Sequence, residues 1–445
     1  MSADPDVVVI GAGAAGLMAA RRLREAGLTV VVLEARDRIG GRILTFRSPD
    51  LPIPVELGAE FLHGDATLTR ELLAEAGAEV VDIEPEQWEA RGGAIRRAWM
   101  WRDVERVMAR LDAQRDSDRS FAEFLASPDA RDLDPQAVES ASAFVEGFHA
   151  ADLGRISECA LARDPGLESA LEAARVPAGY DRLIGQLADP LGDTLRIRHV
   201  VERVDWSEGH VRVRGRADLK PFALEARACI VSAPLPLLRI DQSGPGAIRF
   251  EPALPQLDFV HRSIVCGQVV RVALALDSVP VALLRPGLPH DVDGLHGEFF
   301  LHTPREPFNV CWPVTPASAP VLVAWSGGGR CAALPRPEGA DVATADDDAR
   351  APDAVAAIAI DGIERAAGLA LRPAVRFAVW HDWREDPFSR GAYSYTLVGG
   401  TEPDAPIAAN TLFFAGEAFA GESIGTVEGA LETGEQAARA LLAGS

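Results

Sequence analysis

The run Val7-Val8-Val9-Ile10-Gly11-Ala12-Gly13-Ala14-Ala15-Gly16 decides the fold. Four consecutive apolar residues are the pattern of a short strand buried on both faces of a parallel sheet, and they run into G-x-G-x-x-G. Leu17 to Ala26 then reads as a helix stopped by Gly27, and Leu28 to Leu33 as a second buried strand. In this strand-turn-helix-strand unit Gly11 permits the tight turn. Gly13 lets the backbone approach a pyrophosphate, and Gly16 lets helix and strand pack closely. The helix N-terminus faces the phosphates with its partial positive charge. Glu34, eighteen residues past Gly16, is placed to accept hydrogen bonds from a ribose, and its charge would repel a 2′-phosphate. A dinucleotide other than NADP follows; FAD and NAD both remain open on these residues.

The rest of the composition bounds what surrounds this unit. A chain of 445 residues, 48% apolar and 25% charged, is a soluble globular protein too long for one core, and two domains are expected. A formal charge of -22 disfavours nucleic acid as a partner and draws a cationic small molecule. Lys220 is the only lysine among 44 basic residues. Five scattered cysteines (Cys159, Cys229, Cys266, Cys311 and Cys331) suggest neither a disulfide framework nor a zinc site. The nine histidines show no H-x-x-H or H-E-x-x-H, and no metal is expected. The N-terminus lacks the features of a signal peptide and no apolar stretch approaches a membrane span, so a cytoplasmic protein with no membrane partner is expected.

Between Arg97 and Leu191 the pattern turns helical: Trp99, Val104, Val107, Met108 and Leu111, then Phe121 and Phe124, then Phe144, Val145 and Phe148 recur at three- and four-residue steps. Strand patterns return at Leu195–His199, Val201–Trp206, His210–Arg214 and Ala228–Ala233, and again at Arg376–Trp383 and Leu412–Ala415. Pro335–Asp353 reads as a solvated loop and Val427–Leu442 as a final helix, with Thr426 its N-cap.

Four further segments narrow the cofactor. Glu34-Ala35-Arg36-Asp37-Arg38-Ile39-Gly40-Gly41-Arg42 resembles the second FAD-contacting segment of the flavin amine oxidases, the family of monoamine oxidase, polyamine oxidase and the flavin-dependent histone demethylases. Glu56-Leu57-Gly58-Ala59-Glu60-Phe61-Leu62-His63-Gly64 is similar to the polyamine oxidase stretch that passes the flavin and faces the substrate. Trp383 to Ser394 resembles the segment that brings a tryptophan and a tyrosine beside the isoalloxazine. Phe413-Phe414-Ala415-Gly416-Glu417, with Gly425-Thr426-Val427-Glu428-Gly429-Ala430, is similar to the C-terminal signature.

The resemblance implies an α/β fold. A Rossmann-like FAD-binding domain is expected from residues 1–84, 192–280 and 384–445, with a discontinuous α+β substrate-binding domain from 85–191 and 281–383. It implies FAD contacts from Gly11, Gly13, Ala15, Gly16, Glu34, Ala35, Arg36, Gly41, Arg42, Gly58, Ala59, Glu60, Phe61, Val201, Trp383, Gly416, Glu417, Thr426, Val427 and Ala430. His63, Arg271, Tyr393 and Trp383 are the implied catalytic residues.

Three departures from the family pattern matter. Ala392 stands where monoamine oxidases carry the cysteine bonded to the flavin, so FAD is expected to be held non-covalently. Thr426 replaces the second tyrosine of their aromatic sandwich, leaving Tyr393. In Gly267-Gln268-Val269-Val270-Arg271, Arg271 takes the place of the lysine that holds a water at the flavin, and a guanidinium cannot simply hold the same water. The implied activity is oxidation of an amine to an imine that water hydrolyses, with O2 reduced to H2O2. Arg271 keeps open a dehydrogenase with another acceptor. An amino-acid oxidase is disfavoured, because the acidic loop Glu60–His63 lacks a carboxylate-binding arginine; a flavin-bound docking protein is the remaining alternative.

Overall fold

The computed structural model describes residues 4–98, 100–164, 172–239, 243–278, 299–314, 319–336, 354–401 and 407–444. β1 (Val7–Ile10), α1 (Ala14–Glu25) and β2 (Val30–Leu33) form the expected unit, with β1 and β2 parallel and Val7 opposite Val30. All eight strand residues are buried because the sheet is covered on both sides. Val7, Val9, Val30 and Val32 face α1 and the C-terminal helix Val427–Ala443. Val8, Ile10, Val31 and Leu33 pack under Val201, Val204, Val211 and Val213 of the antiparallel strands His199–Ser207 and His210–Ala217.

The sheet has six strands in the order Leu195–Arg196, β2, β1, Ala228–Val231, Leu412–Phe414 and Ile407–Ala408, parallel except for the last. β1 is therefore an interior strand, with Ala228–Val231 between it and the late strand Leu412–Phe414. α1 and the C-terminal helix lie close enough that a Cβ on Gly434 would stand 2.2 Å from the Ala15 carbonyl oxygen.

A second sheet of seven strands runs Val375–Asp382, Val269–Leu276, Val321–Gly327, Val310–Pro313, Phe299–His302, Glu86–Arg91 and Ala94–Arg97. Beside it stand the helices Met100–Met108, Phe121–Ala126 and Pro135–Phe148, whose apolar faces share one core as their periodicity requires. The five cysteines are free and buried. The expected loop at Pro335–Asp353 falls, from 337 on, outside the described residues, as does Trp99.

Two segments lie on the other side of the expected domain boundaries. Val269–Leu276, placed with the dinucleotide domain by sequence, is an interior strand of the seven-stranded sheet, paired on both sides. An eight-residue apolar run looks the same in a parallel sheet and in the middle of a covered antiparallel one. Conversely, the helix Asp181–Ala188 packs Leu183, Ile184 and Leu187 into the α1 core.

Glu56, at the end of Val55–Glu56, ties these parts together. Its carboxyl accepts the Tyr180 N–H (2.8 Å) and the Thr45 hydroxyl (2.8 Å), and burial pushes it up to about 7.

Two outcomes are expected. Gly434→Val should force α1 and the last helix apart at a cost of about 1–3 kcal/mol, read as a lower thermal unfolding midpoint. An unchanged midpoint would show that the helices do not need this approach. Because the folded pKa of Glu56 lies above its ordinary 4.5, the folded chain holds this proton more tightly. Its contribution is full below about pH 4.5 and is lost as pH rises through 7. Glu56→Gln should therefore flatten the pH dependence of the midpoint across that window and gain on the order of 3 kcal/mol at pH 8; parallel pH profiles for the two proteins would rule this out.

Candidate active site

A single cavity of about 890 Å³ runs from the glycine turn after β1 into the space between the two sheets. Every residue expected to contact cofactor or substrate lines it except Gly16. Gly16 works behind the wall: a Cβ there would lie 2.0 Å from the Gly11 carbonyl oxygen, so it lets α1 start against the turn. Gly13, by contrast, has open space where a Cβ would be, and it begins α1 with no side-chain cap. The first N–H groups of α1 are thus left for an anion.

The Glu34 carboxylate, buried at the end of β2, accepts the Ala12 N–H (2.8 Å) on one oxygen and the Arg36 N–H (2.9 Å) on the other. Each oxygen keeps a lone pair for a further donor. Gly40 donates to the Ala12 carbonyl (2.8 Å), which seats the Gly40-Gly41-Arg42 turn against the glycine loop. Arg36 reaches across to Asp386 (2.6 Å) and the Ser389 hydroxyl (2.8 Å). Burial pushes the Asp386 carboxyl up, but His381 and Arg36 outweigh it and hold it at about 2.

Arg42 joins three segments by donating to Glu417 (2.6 Å) and to the Ala392 carbonyl (2.6 Å). Glu417 also accepts from the Ser394 N–H (3.1 Å) and hydroxyl (3.0 Å). Thr426 caps the last helix as expected, accepting the Gly429 N–H at 2.9 Å. The Val201 wall comes from the overlying antiparallel layer, and Gly416, Val427 and Ala430 close the C-terminal side. Gly416, at φ 142°, has open space beyond its Cα.

The Gly58-Ala59 backbone is held from three sides. Ala59 donates to the Arg42 carbonyl (3.2 Å), Trp383 Nε1 donates to the Leu57 carbonyl (3.0 Å), and Arg271 donates to the Gly58 carbonyl (3.2 Å). Arg271 is not a surface residue: it is 1% exposed, on the interior strand Val269–Leu276. It forms a buried ion pair with Glu60 and lies over the Trp312 ring at 5.4 Å. Glu60 also meets Arg175 (3.3 Å) and the Trp312 Nε1–H (3.1 Å), and Arg175 covers the Phe61 ring at 4.7 Å. Burial raises the Glu60 carboxyl, but Arg271 and Arg175 outweigh it and hold it below its ordinary range. The loop is therefore not acidic in effect. One carboxylate faces two guanidinium groups, which removes repulsion of a carboxylate as an argument against an amino acid. Lys220, the lone lysine, sits exposed at the edge of the His199–Ala226 layer.

Beyond Gly58 the wall is aromatic. Tyr393 stands near-parallel to Trp325 (6.5 Å, 24°), Trp325 touches Trp312, and Trp312 meets Phe61 and Phe300. His63 continues the belt against Phe61 (5.9 Å) and Phe148 (5.1 Å). Burial pushes the Tyr393 phenol up, so it stays protonated and donates to the Phe148 carbonyl (2.8 Å). Trp325, Trp312, Phe300, Phe148 and Arg175 were not foreseen from the sequence. Trp325 lies directly opposite Arg271 in register, a pairing that only the packed sheet reveals.

The family model described as flavin containing amine oxidoreductase matches residues 14–442. Polyamine oxidase 2 of Arabidopsis thaliana is 27% identical over 98% of this chain and 87% of that protein. Putrescine oxidase solved with putrescine bound superposes with a TM-score of 0.75 at 22% identity, covering 99% of each chain. Cyclohexylamine oxidase from Brevibacterium oxydans gives 0.76 at 20% identity over the same shares. With a shared fold and a family match over nearly its whole length, the chain belongs to the flavin-containing amine oxidoreductases and is an FAD-dependent enzyme.

Proposed function

We propose that the protein is an FAD-dependent amine oxidase that converts the C–N bond of a primary or secondary amine to an imine, hydrolysed to an aldehyde, with O2 reduced to H2O2. One observation carries this reading: the dinucleotide-type turn and the aromatic chamber are walls of the same cavity. A cofactor laid along the first half therefore presents its far end to the second.

The residues present fit FAD. Gly13 and Gly416 leave open space where side chains would intrude, and the uncapped start of α1 suits a pyrophosphate. The free lone pairs of Glu34 suit a ribose, and Glu417, fixed by Arg42, is placed for the ribityl chain. Gly58, Ala59 and Trp383 would flank the ring system, and the N-terminus of the last helix would stabilise negative charge on it. Ala392 offers no thiol for a covalent bond, so the cofactor is held by these contacts alone. When bound, FAD supplies the acceptor for the hydride equivalent lost from the carbon beside the amine nitrogen.

The chain's own work is positioning and desolvation. Tyr393, Trp325, Phe61 and Phe300 exclude water from the amine, which lowers its pKa and frees a lone pair. His63, between Phe61 and Phe148, stands where it can orient the amine or pass on its proton.

A second reading has a specific observation behind it. The Arg271 cation is committed to Glu60 and the Gly58 carbonyl, leaving it poorly suited to hold a water beside the flavin. That favours a dehydrogenase passing electrons to an acceptor other than O2.

Mixing the purified flavoprotein with amines in the absence of air separates the readings. The flavin absorbance should bleach, and admitting air should restore it with release of peroxide. No bleaching with any amine would sink the amine-oxidising reading. Bleaching without recovery would select the dehydrogenase, and Arg271→Lys should then speed recovery at least tenfold.

A further inference from the structure

Resting on the reading of the chamber as the amine site, we infer that its substrate is a monoamine with an apolar ring as its body, not an α,ω-diamine or polyamine. The chamber is built from π-faces: Phe61, Phe300, Trp312, Trp325 and Tyr393 line it in a series of ring contacts, and the His63 imidazole joins Phe148 to Phe61.

His63 apart, most polar atoms in this wall are turned into the protein. Trp312 Nε1 donates to Glu60 (3.1 Å), Trp325 Nε1 to the Gly147 carbonyl (3.0 Å) and the Tyr393 hydroxyl to the Phe148 carbonyl (2.8 Å). His302 Nε2 lies 2.7 Å from the Gln87 side-chain oxygen. Asn309, 2% exposed, donates through Nδ2 to the Ala143 carbonyl (3.2 Å). That bond fixes the amide orientation and leaves Oδ1 as an acceptor with no partner.

A second ammonium in this space would need an anion. At neutral pH an alkylamine with a pKa of about 10 is charged, and a buried cation without a counter-charge is strongly disfavoured. Glu60, the carboxylate buried in the chamber wall among the described residues, is consumed by Arg271 and Arg175. Asp65 and Asp164 lie on the cavity wall where it is exposed to solvent, and Glu428, at the start of the C-terminal helix, is occupied by the Leu68 and Thr69 N–H groups and the Thr69 hydroxyl. The Asn309 amide is neutral, so it offers one hydrogen bond and no charge. π-Faces attract a cation less than burial penalises it, whereas they suit a ring body without such a cost. The amine nitrogen that reacts escapes the same penalty by losing its proton, and a diamine would have to give up a second proton for its distal nitrogen, a cost a monoamine does not bear.

The test uses the flavin-loaded enzyme and anaerobic flavin reduction, with benzylamine, 2-phenylethylamine and cyclohexylamine set against putrescine, spermidine and L-phenylalanine. The expected result is a kcat/KM for the best ring monoamine at least 50-fold above that for putrescine or spermidine. Equal or faster reduction by either polyamine, or by L-phenylalanine, overturns the inference while leaving amine oxidation intact. No reduction by any of the six overturns both. Phe300→Ala should raise KM for 2-phenylethylamine at least tenfold, and should retain the flavin spectrum. If that variant loses flavin, Phe300→Leu makes the same comparison, and an unchanged KM in a flavin-retaining variant counts against the inference.

Discussion

Arg42 and Glu417 stand 375 positions apart in the chain and 2.6 Å apart in space. The organisation of the cavity depends on that contact. Arg42 follows the second glycine turn, Glu417 follows the last strand of the parallel sheet, and the same guanidinium holds the Ala392 carbonyl from a third segment. A buried ion pair adds little net stability, because desolvation offsets most of the attraction. Its value here is geometric. Removing one partner would strand the other charge, at a cost of about 3–5 kcal/mol, so the three segments are committed to one arrangement.

Close backbone approach makes that arrangement reachable. Gly16 lets α1 start against the Gly11 carbonyl, Gly58 lets the flavin-side loop lie against the Arg42 carbonyl, and Gly434 lets the last helix meet α1. In each case a methyl group would fall within 2.2 Å of a carbonyl oxygen, a separation that overpacked cores relieve only by moving backbone. The first half of the cavity is therefore a product of missing side chains. The second half is the opposite, a space defined by large rings.

This difference explains how much could be read from the sequence. β1, the glycine turn and Glu34 are local patterns whose spacing fixes their geometry, and they were legible. So were the Thr426 cap and the segments around Gly41, Gly58, Trp383 and Glu417, whose order in the chain reflects their place in the family. The assignment of Val269–Leu276 failed because an apolar run reports burial but not the sheet that causes it. The partners of Arg271 were unreadable for another reason. Glu60, Arg175 and Trp312 come from three distant segments, and pairing between them is a property of the packed sheets. Trp325 was hidden in the same way, since its role depends on standing opposite Arg271 in register.

The Glu60 cluster also shows why a charge counted in sequence can mislead about a site. Glu60 in an otherwise apolar loop looks like an anionic feature of the substrate wall. In the folded chain its oxygens face Arg271, Arg175 and the Trp312 indole, and both guanidinium groups lie over aromatic faces. Arginine suits this place because its planar fork can bond Glu60 and the Gly58 carbonyl together while stacking on a ring. A lysine offers a single compact charge and would leave one of those acceptors unmet. The residue at position 271 is thus tied to the residue at position 60: together they fix the Gly58 backbone and neutralise one another in the chamber wall. What then remains for a substrate to meet is the shape and apolarity of the rings.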